Sequence, residues 1–209
     1  INCSEKYYGL LIKKELKYLK NIFNRKGVKT LILGGSKVND KIKLINNLIP
    51  KVDNILIGGG MAFTFLKRLG VEIGDSIFDE EGFKMIDDIM KQANKYDTHI
   101  CIPYDFVCSN EFNNEGDIVK RSINTGIDRG YMGLDIGINT VTNFIQIIEQ
   151  SDIIFWNGPL GVFELPNFSL GSKMIMEYLA RSNKTSIIGG GDTASCCQKF
   201  GMEDSMTHV

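Results

Sequence analysis

Three short aliphatic runs in this sequence end in glycine clusters: Leu33-Gly34-Gly35-Ser36, Ile57-Gly58-Gly59-Gly60-Met61 and Ile188-Gly189-Gly190-Gly191-Asp192-Thr193. Glycine lets a backbone approach a ligand closely and reach conformations closed to other residues, so such clusters between strand and helix suit a bound phosphate or nucleotide. Tight strand-to-helix packing is the other use of one such cluster; three on one sheet edge favour a ligand site. Lys37 and Lys41 follow the first cluster, with Asn39 between them as a helix cap. Cations are disfavoured at a helix start, so two lysines there beside free backbone amides point to an anion, phosphate first. After the third cluster, Asp192 is expected to cap a helix or, beside a phosphate, to hold Mg²⁺, which favours carboxylate plus phosphate oxygens. A fourth segment, Trp156-Asn157-Gly158-Pro159-Leu160-Gly161-Val162-Phe163-Glu164, follows another apolar run. Its Gly-Pro shapes a tight loop, Leu160 and Phe163 are expected to cover an aromatic ring, and Glu164 to accept hydrogen bonds from ribose hydroxyls.

These groups need a scaffold that brings strand ends together. Thr30–Leu33, Asn54–Ile57, His99–Ile102, Asp152–Trp156 and Thr185–Ile188 read as buried strands. Helical patterns fill the intervals at Lys41–Leu48, Met61–Leu69, Glu80–Asn94, Thr140–Gln150, Ser169–Ser182 and Thr193–Phe200, and an amphipathic helix over Gly9–Asn24 precedes them. Near-continuous apolar strands alternating with helices predict a doubly wound, mainly parallel, six-stranded-type sheet with helices on both faces, a three-layer α/β/α arrangement. In such a sheet, ligands bind at the carboxyl ends of the strands. Pro103–Ile138 breaks the rhythm and reads as a looped or antiparallel excursion. The expected division is a helix over 1–24 and one α/β domain over 25–209.

Composition narrows the function classes. The 209 residues carry 24 Lys+Arg against 25 Asp+Glu, a net charge of −1, which argues against nucleic acid or an acidic membrane surface as the partner. No apolar run approaches the roughly 20 residues of a membrane span, and the opening residues do not form a leader, so a soluble internal fragment is expected. The five cysteines include the adjacent Cys196 and Cys197 and no Cys-x-x-Cys, which reads as reduced, buried thiols of a cytoplasmic protein. The P-loop signature is absent. Gly189-x-Gly191-x-x-Ala194 fits a dinucleotide fingerprint, which keeps a dinucleotide-binding oxidoreductase as the alternative, although the acid expected about 20 residues further on would fall past Val209.

Taken together, Leu31-Ile32-Leu33-Gly34-Gly35-Ser36-Lys37-Val38-Asn39-Asp40-Lys41-Ile42, Ile57-Gly58-Gly59-Gly60-Met61-Ala62-Phe63-Thr64-Phe65-Leu66, Gly133-Leu134-Asp135, Trp156 to Glu164 and Ile188 to Ala194 resemble the carboxyl-terminal, nucleotide-binding half of the phosphoglycerate kinases. The resemblance implies reversible phosphoryl transfer in glycolysis between 1,3-bisphosphoglycerate and ADP, giving 3-phosphoglycerate and MgATP, by a cytoplasmic monomer. It implies that Gly34, Gly35, Gly59, Gly60 and Leu134 line the adenine slot, with Pro159 and Leu160 nearby and Glu164 on the ribose, and that Ser36, Gly158 and Phe163 also belong to the nucleotide site. Lys41, Asn157 and Thr193 would meet nucleotide phosphates, Asp192 would bind Mg²⁺, and Lys37 would be the catalytic group at the transferring phosphoryl. Phosphoglycerate would bind to a basic amino-terminal half absent from this sequence, and the Gly9–Asn24 helix resembles the one crossing between halves. A last glycine-rich loop of the family lies beyond Val209, Ser36 stands where the family often has Ala, and Tyr131 where it has Trp. The fragment alone is expected to bind nucleotide without turnover.

Overall fold

The computed structural model describes Ile22 and residues 25–209. The Gly9–Asn24 helix and Cys3 therefore lie outside the described residues, apart from Ile22.

Strands β1 (Lys29–Leu33), β2 (Asn54–Ile57), β3 (His99–Cys101), β7 (Ile153–Asn157) and β8 (Thr185–Gly189) form a five-stranded sheet in the order β3-β2-β1-β7-β8. Every pairing in it is parallel. His208 adds a parallel bridge to Ile187 on the outer side of β8, at the sixth strand position. The connections are the helices α1 (Ile42–Leu48), α2 (Met61–Arg68), α3 (Glu80–Phe83), α4 (Ile86–Lys95), α5 (Ile138–Glu149), α6 (Leu170–Arg181) and α7 (Gly191–Lys199). Parallel strands require such crossovers, and alternate residues of each strand face opposite layers. Leu31, Leu33, Ile55, Ile57, Ile153 and Phe155 pack with Ile45 of α1, Phe65 of α2 and Ile89 of α4. Their neighbours Ile32, Leu56, Ile154 and Trp156 pack with Phe144 of α5, Ile175 of α6 and Cys196 of α7. Burial on both faces explains why the strands read as apolar throughout.

The excursion is a second sheet: β4 (Asp105–Ser109), β5 (Ile118–Ser122) and β6 (Met132–Ile136) pair antiparallel in the order β5-β4-β6. It packs against the side of α2 that faces away from the main sheet. Phe63 and Leu66 of α2 join Phe106 and Cys108 of β4, with the Phe63 and Phe106 rings 5.5 Å apart. Covered on two sides, α2 buries Met61 through Leu66 without a break, so its lack of a polar stripe is what its position demands.

Three helical stretches differ from expectation, the last of them, α7, by beginning at Gly191, two residues before Thr193. Glu80–Asn94 is not one helix: the chain tightens where the Met85 N–H donates to the Gly82 carbonyl at 3.0 Å, and α4 begins at Ile86. Helix α5 starts two residues before Thr140, because Asp105 of β4 accepts the amides of Asn139 (3.1 Å) and Thr140 (2.8 Å) and so caps it from another strand. Cys101, Cys108, Cys196 and Cys197 are free and buried, and burial pushes the Cys101 thiol up to about 11 and those of Cys108 and Cys196 to about 12. Among the described residues no helix is long and apolar enough to cross a membrane.

Candidate functional site

Chain order reverses between β1 and β7, since β1 leads to β2 on one side while β7 returns on the other. Loops leaving a parallel sheet diverge at such a switch point and open a crevice beyond the strand ends. Here the first, second and fourth motifs are stitched to each other through backbone. The Gly34 N–H donates to Asn157 O at 3.1 Å, Gly35 N–H to Pro159 O at 3.1 Å, Gly59 N–H to Leu160 O at 2.9 Å, and Met61 N–H to Gly35 O at 2.9 Å. Three side chains pin the Asn157–Leu160 loop from below. The Trp156 indole donates to Gly158 O at 2.7 Å, Thr193 Oγ1 accepts the Gly158 N–H at 2.6 Å, and Ser172 Oγ accepts the Leu160 N–H at 2.9 Å.

A crevice of about 500 Å³ opens above these loops, within the size range of small-ligand sites. Gly35, Ser36, Gly59, Gly60, Leu134, Pro159, Glu164 and Asp192 line it, as the sequence leads one to expect. So do Gly133, Gly161 and Val162, which lie inside the quoted motifs without an assigned role, and four residues that sequence reasoning missed: Asp75, Ile77, Phe112 and Met132. Phe112 is 63% exposed and Ile77 42%, so both present apolar surface at the border of the crevice. Phe112 comes from the Asn-rich loop between β4 and β5, so the antiparallel excursion supplies one wall of the crevice.

Other expected residues sit behind the wall. Gly34 and Gly158 are buried beneath it, and Leu160 and Phe163 belong to the core on the α5–α6–α7 face rather than to a surface that could cover a ring. Leu160 is drawn inward because Gly58 leaves it room; a Cβ at Gly58 would lie 2.4 Å from Leu160 Cδ2. Thr193 is fully buried and its hydroxyl oxygen is engaged by Gly158, which makes it a support for the loop, with its amide in the first turn of α7.

Charged groups gather at the end of the crevice bounded by α7. Lys41 Nζ donates to Asn157 Oδ1, and a Cβ at Gly190 would lie 3.1 Å from Asn157 Nδ2, so the third cluster touches this pair. Helix α7 begins without a side-chain cap bond, leaving its first amides directed toward the same corner. Burial draws the Lys41 ammonium below its ordinary pKa, while the carboxylates of Asp192 and Asp40 act in the opposite direction. Lys37 is exposed on the preceding turn. The expectation that Asn39 caps a helix there does not hold: Val38 is the N-cap, it gives no side-chain bond, and the Asn39 amide donates instead to Asp79 Oδ2 at 2.7 Å. The amides beside Lys37 are therefore taken by a carboxylate, and the open helix start belongs to α7.

Asp135 lies immediately behind Leu134, 3% exposed, accepting the amides of Ile136 at 2.9 Å and of Gly171 in α6 at 2.8 Å. Burial pushes its carboxyl up to about 7, against the pull of the Gly171, Ile136 and Leu170 amides. Between its usual 3.8 and about 7, the folded chain holds a proton that the unfolded chain has released. Stability from this group is therefore full below that window and falls as pH rises through it. Urea midpoints are expected to decline from pH 4 to 7 in the wild type, with that slope removed in Asp135→Asn; parallel curves would reject the assignment.

A family model described as "Phosphoglycerate kinase" matches residues 1–209. The chain belongs to the phosphoglycerate kinase family. It is 46% identical over 214 residues to "Phosphoglycerate kinase 2" of Equus caballus, covering 100% of this chain and 51% of that protein. It is 47% identical over 206 residues to the Drosophila melanogaster "Phosphoglycerate kinase", covering 96% and 50%. Among solved structures, phosphoglycerate kinase from Coxiella burnetii superposes with a TM-score of 0.90 at 33% identity, over 95% of this chain and 52% of that one. The family's Rossmann-like α/β architecture is thus the fold described above, and the chain spans about half the length of the curated relatives it matches.

Proposed function

We propose that this chain is the nucleotide-binding half of an enzyme that moves a phosphoryl group between 1,3-bisphosphoglycerate and ADP, giving 3-phosphoglycerate and MgATP. The observation that carries the reading is the crevice at the switch point: an apolar slot between Gly59, Leu134 and Pro159 with Glu164 at its border, running to a corner where Lys41, Asn157, Asp192 and the start of α7 meet. The slot suits a flat base, Glu164 the ribose hydroxyls, and the corner the phosphate chain. Lys41, Asn157 and the first amides of α7, that of Thr193 included, are the groups that hold those phosphates. Lys37, exposed and one turn before Lys41, is the group that meets the transferring phosphoryl.

Asp192 is the residue that holds Mg²⁺. A single carboxylate fits that ion, which takes one or two protein ligands and completes its shell with nucleotide phosphate oxygens and water. When bound, Mg²⁺ neutralises charge shared between phosphates. The chain's own contribution is to seat the base, fix the phosphates against Lys41 and Asn157, and present Lys37, because phosphoryl transfer depends on positioning and charge stabilisation rather than on a protein nucleophile. Phosphoglycerate falls to the other half, in a cytoplasmic monomer whose two halves close to exclude water.

The test is titration of this chain with MgADP, followed by the fluorescence of Trp156, the sole tryptophan, whose indole holds the Gly158 carbonyl beneath the slot. A saturable change shared by MgATP and not exceeded by NAD is expected. Tighter binding of NAD, or no response in a folded chain, would count against the proposed site.

A further inference from the structure

Asp79 lies at the start of α3, only 7% exposed, and its carboxylate serves two segments far apart in sequence. Oδ1 accepts the Gly82 amide at 3.0 Å and so caps its own four-residue helix. Oδ2 reaches across to accept the Asn39 amide at 2.7 Å, and the neighbouring Val38 amide also favours its charged form. Its own N–H donates at 3.1 Å to the hydroxyl of Thr64, which is fully buried on α2, so the backbone that bears the carboxylate is itself held. The fit is close: a Cβ on Gly82 would lie 2.4 Å from Asp79 Oδ2 and 2.6 Å from Val38 Cβ. Amides at a helix start need an acceptor, and the turn carrying Lys37 and Lys41 supplies none from its own side chains. In spite of burial, the Asn39 and Gly82 amides, and after them the Lys37 charge, hold the Asp79 carboxyl below its ordinary pKa.

We infer that Asp79 is a positioning residue for the lysine turn: through the amide of Asn39 it sets the direction of Lys37 and the start of the helix that follows Lys41, without touching the nucleotide. The catalytic part of this inference rests on the function proposed above. A loop bearing a charge-stabilising lysine is effective only if its orientation is fixed before the reaction, since reorganisation at the moment of transfer would consume the electrostatic gain.

Asp79→Ser separates the two duties. A serine hydroxyl remains a good cap for Gly82 but is one bond too short to reach Asn39, so α3 should survive while the lysine turn loses its anchor. Amide hydrogen exchange is expected to accelerate by at least about 10-fold at Val38 and Asn39 and to stay unchanged along β1. In the full-length enzyme the same variant should lower kcat by about 10-fold and move KM for MgADP by less than about two-fold, with partial rescue by Asp79→Glu. Unchanged exchange at Val38 and Asn39 would overturn the anchoring role whatever the reaction. Faster exchange with unchanged kcat would overturn the role in transfer and leave a structural cap. Absence of phosphoryl transfer in the full-length wild type would overturn the functional reading, while exchange would still decide the anchoring.

Discussion

Lys37→Ala in the full-length enzyme is expected to lower kcat by about 100- to 1,000-fold while KM for MgADP changes by less than about two-fold. Lys37 and Lys41 are four residues apart but differently placed. Lys41 is half-buried and already bonded to Asn157, a position suited to ground-state contact with nucleotide phosphates. Lys37 is exposed, and its turn is pinned at both levels, by the fully buried Val38 side chain and by Asp79. Its ammonium acts on the Asp79 carboxylate but makes no hydrogen bond or ion pair among the described residues, so it is free to gain when negative charge spreads over the equatorial oxygens of the transferring group. Steady-state kinetics with MgADP varied distinguish the roles. Parallel losses in kcat and nucleotide affinity would make Lys37 a binding group like Lys41.

Gly34→Ala is expected to be the most damaging small substitution in the domain, destabilising it by about 4 kcal/mol or more and abolishing the MgADP response. A Cβ at Gly34 would lie 1.9 Å from Pro159 O and 2.5 Å from Gly158 O. Both obstacles are backbone atoms that cannot rotate away, and they belong to the loop clamped by Trp156, Thr193 and Ser172. Gly158 is equally constrained from the other side, with φ +100° and a would-be Cβ 2.2 Å from Gly34 O. The methyl group would have to part β1 from β7 at the point where the crevice opens. Gly191→Ala is the control, because a Cβ there meets nothing within 4 Å; its stability from urea unfolding should stay within about 0.5 kcal/mol of wild type. Equal midpoints for the two variants would mean that the strand ends are not packed as described.

The parallel sheet was legible because its strands announce themselves twice, as short aliphatic runs and as glycine clusters where each run stops. Residues such as Leu33-Gly34-Gly35 and Ile57-Gly58-Gly59-Gly60 encode local constraints, a buried strand and then a backbone that must bend closely past another, and local constraints are written in contiguous residues. Family membership was legible for the same reason: most of the groups that touch or support the crevice sit in five short motifs.

What the sequence could not reveal depends on residues distant along the chain. The expected roles of Leu160 and Phe163 came from their neighbourhood in the motif, but which way a side chain turns is decided by what packs beneath it, and here Gly58 and the core draw both inward. Phe112 carries no local mark of function, and only the folding of β4–β6 against α2 brings its loop over the slot. The caps tell the same story. Asn39 has the right type and position to cap the lysine turn, yet the acceptor is Asp79, as Asp105 is for α5. A carboxylate that is buried and anchored to its own backbone accepts well-aligned bonds from amides it meets across space, and such a meeting is a property of the packed chain. The sequence by itself thus determined the fold class, the edge of the sheet where the crevice opens and the motifs that border it; tertiary packing decided which side chains face the crevice and which carboxylates hold the loops that form it.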